Sequence, residues 1–165
     1  EERYGLKSVQ SYTTRPKRTE DETGHTFITE KEFQELKDIV AYTYYNGNHY
    51  CATAEQLNDS DLYVIDIVGI NSLKEKYKGR KSICVIYISS PIHTRVNRME
   101  QRGDEFGKIM ERIVNDTFDF KGAADIADFV IHNEDDTDFN KLVKTVYECI
   151  ATREVGTTDF IEENV

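Results

Sequence analysis

Two apolar runs constrain this chain more than any other feature: LYVIDIV at 62–68 and ICVIYIS at 83–89. Both are nearly continuous in aliphatic and β-branched residues, the pattern of strands buried on both faces of a parallel sheet. Gly69 to Tyr77, between them, fits a helix. FVIHN (129–133) is a short third strand, followed by the amphipathic run DFNKLVKTVYECIA (138–151). Apolar strands alternating with helices imply an α/β sandwich.

The segments around this frame have their own signals. LKSVQSY (6–12) alternates as a strand and opens into the polar loop TTRPKRTEDETGH (13–25). Thr29 with Glu32 forms a capping box for a short helix over TEKEFQELKD, and Thr53 with Gln56 can cap another turn. VAYTYY and HYCA flank NGN, a hairpin signal because Asn-Gly accepts positive φ. This hairpin region interrupts the strand–helix alternation and reads as a small inserted lobe. Ser90-Pro91 is suited to cap and open the next helix. IHTRVNRMEQR and FGKIMERIVNDTF then read as two helices broken at Gly103. The last stretch, TREVGTTDFIEENV, has no clear period.

Composition narrows the function classes. Among 165 residues, 38% hydrophobic and 32% charged describe a folded chain rather than a disordered one. A net charge of −10 argues against general nucleic-acid binding, which needs phosphate neutralisation, so any anion site is local. No run approaches the ~20 apolar residues that span a bilayer. Cys51, Cys84 and Cys149 form no CxxC pair, and an odd count suits no disulfide framework; they read as reduced thiols of a cytoplasmic protein. The four histidines show no metal-ligand spacing, and no metal site is expected.

Against that acidic background, SYTTRPKR (11–18) stands out. It lies at the carboxyl end of a strand, where open α/β sheets bind ligands. Arg15 and Arg18 flank a stretch stiffened by Pro16, and with Ser11 and the threonine hydroxyls they could surround a phosphate. The bland alternative is a solvated basic loop. Arg95, Arg98 and Arg102 share one helical face beside the Gly103 break, with Lys108 and Arg112 beyond it. Either they pair with Glu100, Asp104 and Glu105 on a helix surface, or they form a closing phosphate lid. Asp66 places an ionisable group in an apolar run, to cap a neighbouring loop or to face a substrate or metal.

These motifs, S-x-T-T-R-x-x-R (11–18), G-N-H-Y-x-x-T (47–53), an apolar strand ending D-x-x-G (66–69) and R-x-x-x-R-G (98–103) with a later Arg112, resemble in this order the guanylate kinase family. The resemblance runs from about Val9 to about Asp135. It implies a P-loop NTPase-like parallel sheet flanked by helices, with an inserted β-hairpin monophosphate-binding lobe (about 13–60) and a helical lid (about 98–112). The domain would span 1–152, followed by a tail at 153–165. It implies ATP-dependent phosphoryl transfer to a nucleoside monophosphate, GMP or dGMP first, with ATP and Mg²⁺ as cofactors and only small nucleotide substrates as partners. Ser11, Arg15, Arg18 and Tyr50 match the residues that hold the acceptor phosphate, and Asp66 matches the aspartate near the acceptor nucleotide. Arg98, Arg102 and Arg112 match arginines converging on the transferred phosphoryl group, and Asn133 lies where the family's loop approaches the donor adenine.

The chain departs from the family pattern in three places. No GxxxxGK[ST] occurs in it. The family carries that loop one strand and one helix upstream, so EERYG is expected to be the tail of the helix after a P-loop preceding Glu1. Ala41 and Ala52 stand where the family has a glutamate and a Ser or Thr that read guanine. GHTFITEKEF is about two residues short, leaving His25 or Phe27 for a tyrosine position. These departures raise two alternatives: a sugar-phosphate kinase of the ribose bisphosphokinase type, and a non-catalytic phosphopeptide-binding module.

Overall fold

The local signals at 29–58 fold as their chemistry dictates. In the computed structural model, which describes residues 4–155 and the side chains of residues 4–152, Thr29 and Glu32 form a reciprocal capping box. It opens helix α1 (Glu30–Glu35), as Thr53 and Gln56 open α2 (Ala54–Asn58). Asn46 and Gly47 both take positive φ (47° and 77°), the geometry of a two-residue turn matching strand twist. They join β3 (Ile39–Tyr45) to β4 (Asn48–Thr53), pairing Ala41 with Ala52 and Thr43 with Tyr50. Two shorter strands, β1 (Ser11–Thr13) and β2 (His25–Phe27), complete a four-stranded sheet in the order β2-β1-β4-β3. β1 runs parallel to β2 and antiparallel to β4.

LYVIDIV corrects the sequence reading. It is not a strand: Leu62 makes a single parallel bridge to Ser8, and Val64 is 95% exposed. The helix after it, α3 (Ile67–Lys76), starts two residues before Gly69. A strand exists only where a neighbour pairs its backbone. Here the Asp66 side chain instead accepts the Gly69 N–H at 2.6 Å and turns the chain into a helix. LKSVQSY is likewise cut down to the Ser8 bridge and β1. α3 packs across β3, its Ser72 hydroxyl donating to the Val40 carbonyl at 3.2 Å. Ala41, Cys51, Ala52 and Leu73 are buried in this region.

The described residues form two compact units, one running up to Ser82 and one from Ile83 onward. In the second, β5 (Ile86–Ser89) and β6 (Phe129–His132) pair in parallel, Ile86 opposite Phe129 and Ser89 opposite His132. The connection between them carries α4 (Ile92–Gln101), α5 (Phe106–Asp119) and the short α6 (Ala123–Ile126); α7 (Phe139–Val155) follows β6. Gly103 breaks the chain between α4 and α5 at φ +86°, a conformation that glycine adopts without strain. Met99, Ile109 and Ile113 pack the two helices together, with Val96 against them, and an Arg95–Asp116 ion pair at 2.9 Å links them. Pro91, rather than Ser90, occupies the cap position of α4, with no side-chain cap; Ser90 lies one residue too early, and its buried hydroxyl has no partner among the described residues.

Gly5 has φ +66°, suited to a helix stop, while residues 1–3 before it and the tail at 156–165 lie outside the described residues. No helix among the described residues is long and apolar enough to cross a membrane.

Candidate phosphate-binding site

The acceptor residues expected from the sequence gather in the first unit. A cavity of about 90 Å³ is lined by Ser11 from β1, His25 from β2, Thr43 and Tyr50 from the hairpin, and Tyr63 and Asp66 from the segment leading into α3. Ser11 Oγ lies 2.9 Å from His25 Nδ1, and the Tyr63 phenol lines the cavity with them. Burial pushes the Tyr63 hydroxyl up to about 12, so it stays protonated at neutral pH. The His25 ring meets Tyr50 edge-on, centroids 5.9 Å apart.

Arg15 stands at this group with its charge already matched. Its fork donates to both oxygens of Glu22, at 2.8 and 3.3 Å, and to the Pro16 carbonyl at 2.9 Å. Tyr50 faces the same guanidinium, which also lies over the Phe27 ring at 5.4 Å. Arg18 reaches Glu22 through its backbone N–H at 2.6 Å, and its side chain is exposed. The Arg15 hydrogen bonds, then the Arg18 N–H, lower the Glu22 carboxyl to about 2, so it is ionised wherever the protein is folded near neutrality. Charge-assisted bidentate pairing of this kind fixes the plane of the arginine fork.

The threonine oxygens of the motif carry structural bonds. Thr13, 1% exposed, accepts the Arg15 N–H at 3.2 Å, and Thr14 accepts the His49 N–H at 2.9 Å. Asp66 is also committed on one side: Oδ1 takes the Gly69 N–H at 2.6 Å and the Thr43 hydroxyl at 2.7 Å. The positions expected to read a base are closed. Ala41 and Ala52 face each other in register, both 0% exposed, and neither lines the cavity.

Sequence reasoning missed Glu22 and Tyr63. Glu22 sits in the acidic run TEDETG, where nothing separates it from Glu20 or Asp21; Tyr63 was hidden inside an apparent strand. Between His25 and Phe27, the imidazole lines the cavity while Phe27 lies beneath Arg15 and Lys17.

In the second unit Arg98 and Asn133 come together: Arg98 Nη2 donates to Asn133 Oδ1 at 3.1 Å and to the Glu134 carbonyl at 2.8 Å. Arg102, the C-cap of α4, is paired with Asp104. Arg112 is exposed on α5. Arg95 pairs with Asp116, and Lys108 with Glu105 at 3.9 Å. Part of this basic face is therefore an ordinary ion-paired surface.

Comparison with known proteins identifies the family. The family model described as "Guanylate kinase" matches residues 1–153. The guanylate kinase of Nitrosomonas europaea is 27% identical over 113 residues, 62% of this chain and 55% of that protein. The chain thus spans about half the length of this curated relative. The crystal structure of guanylate kinase from Anaplasma phagocytophilum shares the fold, with a TM-score of 0.66 at 22% identity over 92% of this chain and 77% of that one. With the family match running through nearly its whole length, the chain belongs to the guanylate kinase family.

Proposed function

We propose that this chain binds the acceptor in an ATP-dependent phosphoryl transfer to a nucleoside monophosphate, GMP or dGMP in the first place. One observation carries the reading: Ser11, Tyr50 and Asp66 line one small cavity, and the Arg15 fork is held against Tyr50 beside it. Ser11, Arg15, Arg18 and Tyr50 would grip the phosphate. Arg98, Arg102 and Arg112 would neutralise charge on the moving phosphoryl group, the part of this chemistry that proteins mainly supply. Asn133 would approach the donor adenine. Among the described residues no group of three or more acidic, histidine or cysteine side chains is set to hold a metal. A Mg²⁺ ion would arrive with the nucleotide's own phosphates.

A second reading, a sugar-phosphate kinase, is favoured by the closed alanine pair. A site that rejects wrong substrates needs polar groups that a wrong ligand leaves unpaired, and Ala41 and Ala52 offer none. The test is calorimetry with Arg15→Ala, followed by a turnover panel of GMP, dGMP, other monophosphates and ribose 1,5-bisphosphate. Losing Arg15 is expected to weaken monophosphate binding by about 2–5 kcal/mol, the scale for breaking a shielded charge pair. Unchanged GMP affinity in Arg15→Ala overturns the acceptor assignment. Turnover of the sugar phosphate alone selects the second reading, and phosphopeptide binding without turnover removes both.

A further inference from the structure

We infer that His25 is itself an anion ligand of the cavity, and that its imidazole takes up a proton when a phosphate or sulfate dianion enters. This rests on the acceptor-phosphate reading above and adds to it a ligand and a pH dependence.

The geometry carries the inference. His25 lines the cavity together with Ser11 and Tyr50, and its Nδ1 is 2.9 Å from the Ser11 hydroxyl. A hydroxyl can donate to a neutral ring or accept from a charged one, so Ser11 satisfies the imidazole in either state. Phe27, two residues on, is no rival, because it lies under the Arg15 and Lys17 cations.

The charged groups around the ring are Arg15, Arg18 and Glu22 on the loop, with Asp66 in the cavity wall; Tyr50 and Tyr63 are the nearby phenols. Burial first, then Arg15, hold the free imidazole below its usual range, with Glu22 opposing. An entering dianion reverses this balance. It screens Arg15 and Arg18 and presents oxygens that accept from the protonated ring. The bound state then holds the proton to higher pH than the free state, so affinity falls as pH rises through the interval between the two.

The probe is inorganic sulfate, because a phosphate monoester has its own ionisation near pH 6, which strengthens binding as pH rises and masks the effect. Calorimetry of the full chain with sulfate, between about pH 5 and pH 8, is expected to show affinity falling about tenfold or more, one pKa unit being a factor of ten. Proton uptake should appear as a dependence on the buffer's ionisation enthalpy. The His25 imidazole resonance should titrate at higher pH with sulfate than without. His25→Gln and His25→Tyr should bind sulfate more weakly than the wild type at pH 5, with the pH dependence gone.

If wild-type affinity does not fall with pH while Arg15→Ala abolishes binding, this inference is wrong and the acceptor grip stands. A fall that persists in His25→Gln assigns the proton elsewhere and also overturns it. Failure of the wild-type chain to bind sulfate at any pH, or sulfate binding unchanged in Arg15→Ala, removes the acceptor reading and this inference with it.

Discussion

Replacing Asp66 separates its structural work from any role toward a substrate. Its Oδ1 accepts the Gly69 N–H at 2.6 Å, capping α3, and the Thr43 hydroxyl at 2.7 Å, tying that helix to β3. Asp66→Ala removes both bonds. The cap contributes about 1 kcal/mol. The Thr43 hydroxyl, half-buried beside a cavity, contributes towards the low end of the ~1–3 kcal/mol for a stranded donor. The total is about 2 kcal/mol. Asp66→Asn keeps an oxygen at both bonds and loses only the charge at the helix N-terminus, about 0.3–1 kcal/mol.

Urea and thermal unfolding, each followed by far-UV circular dichroism, are the assays, since the chain has no tryptophan. Asp66→Ala should lower the melting temperature by about 4–8 °C for a chain of this size, and Asp66→Asn by a fraction of that. Thr43→Val should cost about 0.5–1 kcal/mol in the wild type and almost nothing on top of Asp66→Ala, because the two report one shared bond. An alanine variant within about 0.5 kcal/mol of wild type, or an asparagine variant as unstable as alanine, would refute the cap-and-tether account. If Asp66→Asn is stable yet loses acceptor turnover, the free oxygen serves the substrate.

Acid should probe the Arg15–Glu22 pair. Glu22 is depressed to about 2 from an ordinary 4.5, so its stabilisation is complete above the higher value and is lost as pH falls towards the lower. The urea midpoint of Glu22→Gln should therefore change less over that interval than the wild type's; identical acid limbs refute the pairing. In the second unit, Thr94 is 0% exposed with a hydroxyl that has no partner among the described residues. The isosteric Thr94→Val should raise stability by about 1 kcal/mol in the same assay, and a loss shows that the hydroxyl is satisfied.

Legibility followed the range of the interaction. Capping boxes, the Asn-Gly turn and the Gly103 break depend on residues within four positions of each other, and each formed where the sequence indicated. The strand expected at LYVIDIV failed because strand formation depends on a distant partner, whereas the competing Asp66 cap is local. β2 was invisible for the complementary reason. Three residues, HTF, carry no period, and their pairing with β1 is made by chain fourteen positions away, as in Ser11 opposite His25. The cavity and its surroundings were half legible: Ser11, Arg15 and Asp66 stood out from the residues themselves and Tyr50 from the family resemblance, while Glu22 and Tyr63 became distinct only once the loop and the α3 approach were folded.

Glu22 also bears on how an acidic chain would select a phosphate under the proposed acceptor reading. With Arg15 already matched by a carboxylate that stays ionised to about 2, an entering anion meets a cation whose charge is locally balanced. Net attraction across this loop is therefore smaller than three cations in four positions suggest, and charge alone distinguishes poorly between a phosphate and any other anion. On the proposed reading, discrimination would fall to donors that Glu22 does not occupy: the Tyr50 and Tyr63 phenols, the Ser11 hydroxyl and the His25 ring. These groups are directional and grouped around about 90 Å³, where a tetrahedral dianion could engage several at once and a planar carboxylate fewer. The alanine pair would then matter less to the grip than to what lies beyond it: Ala41 and Ala52 are 0% exposed and outside the cavity lining, so they leave its hydroxyl and imidazole groups intact while offering a purine no hydrogen bond.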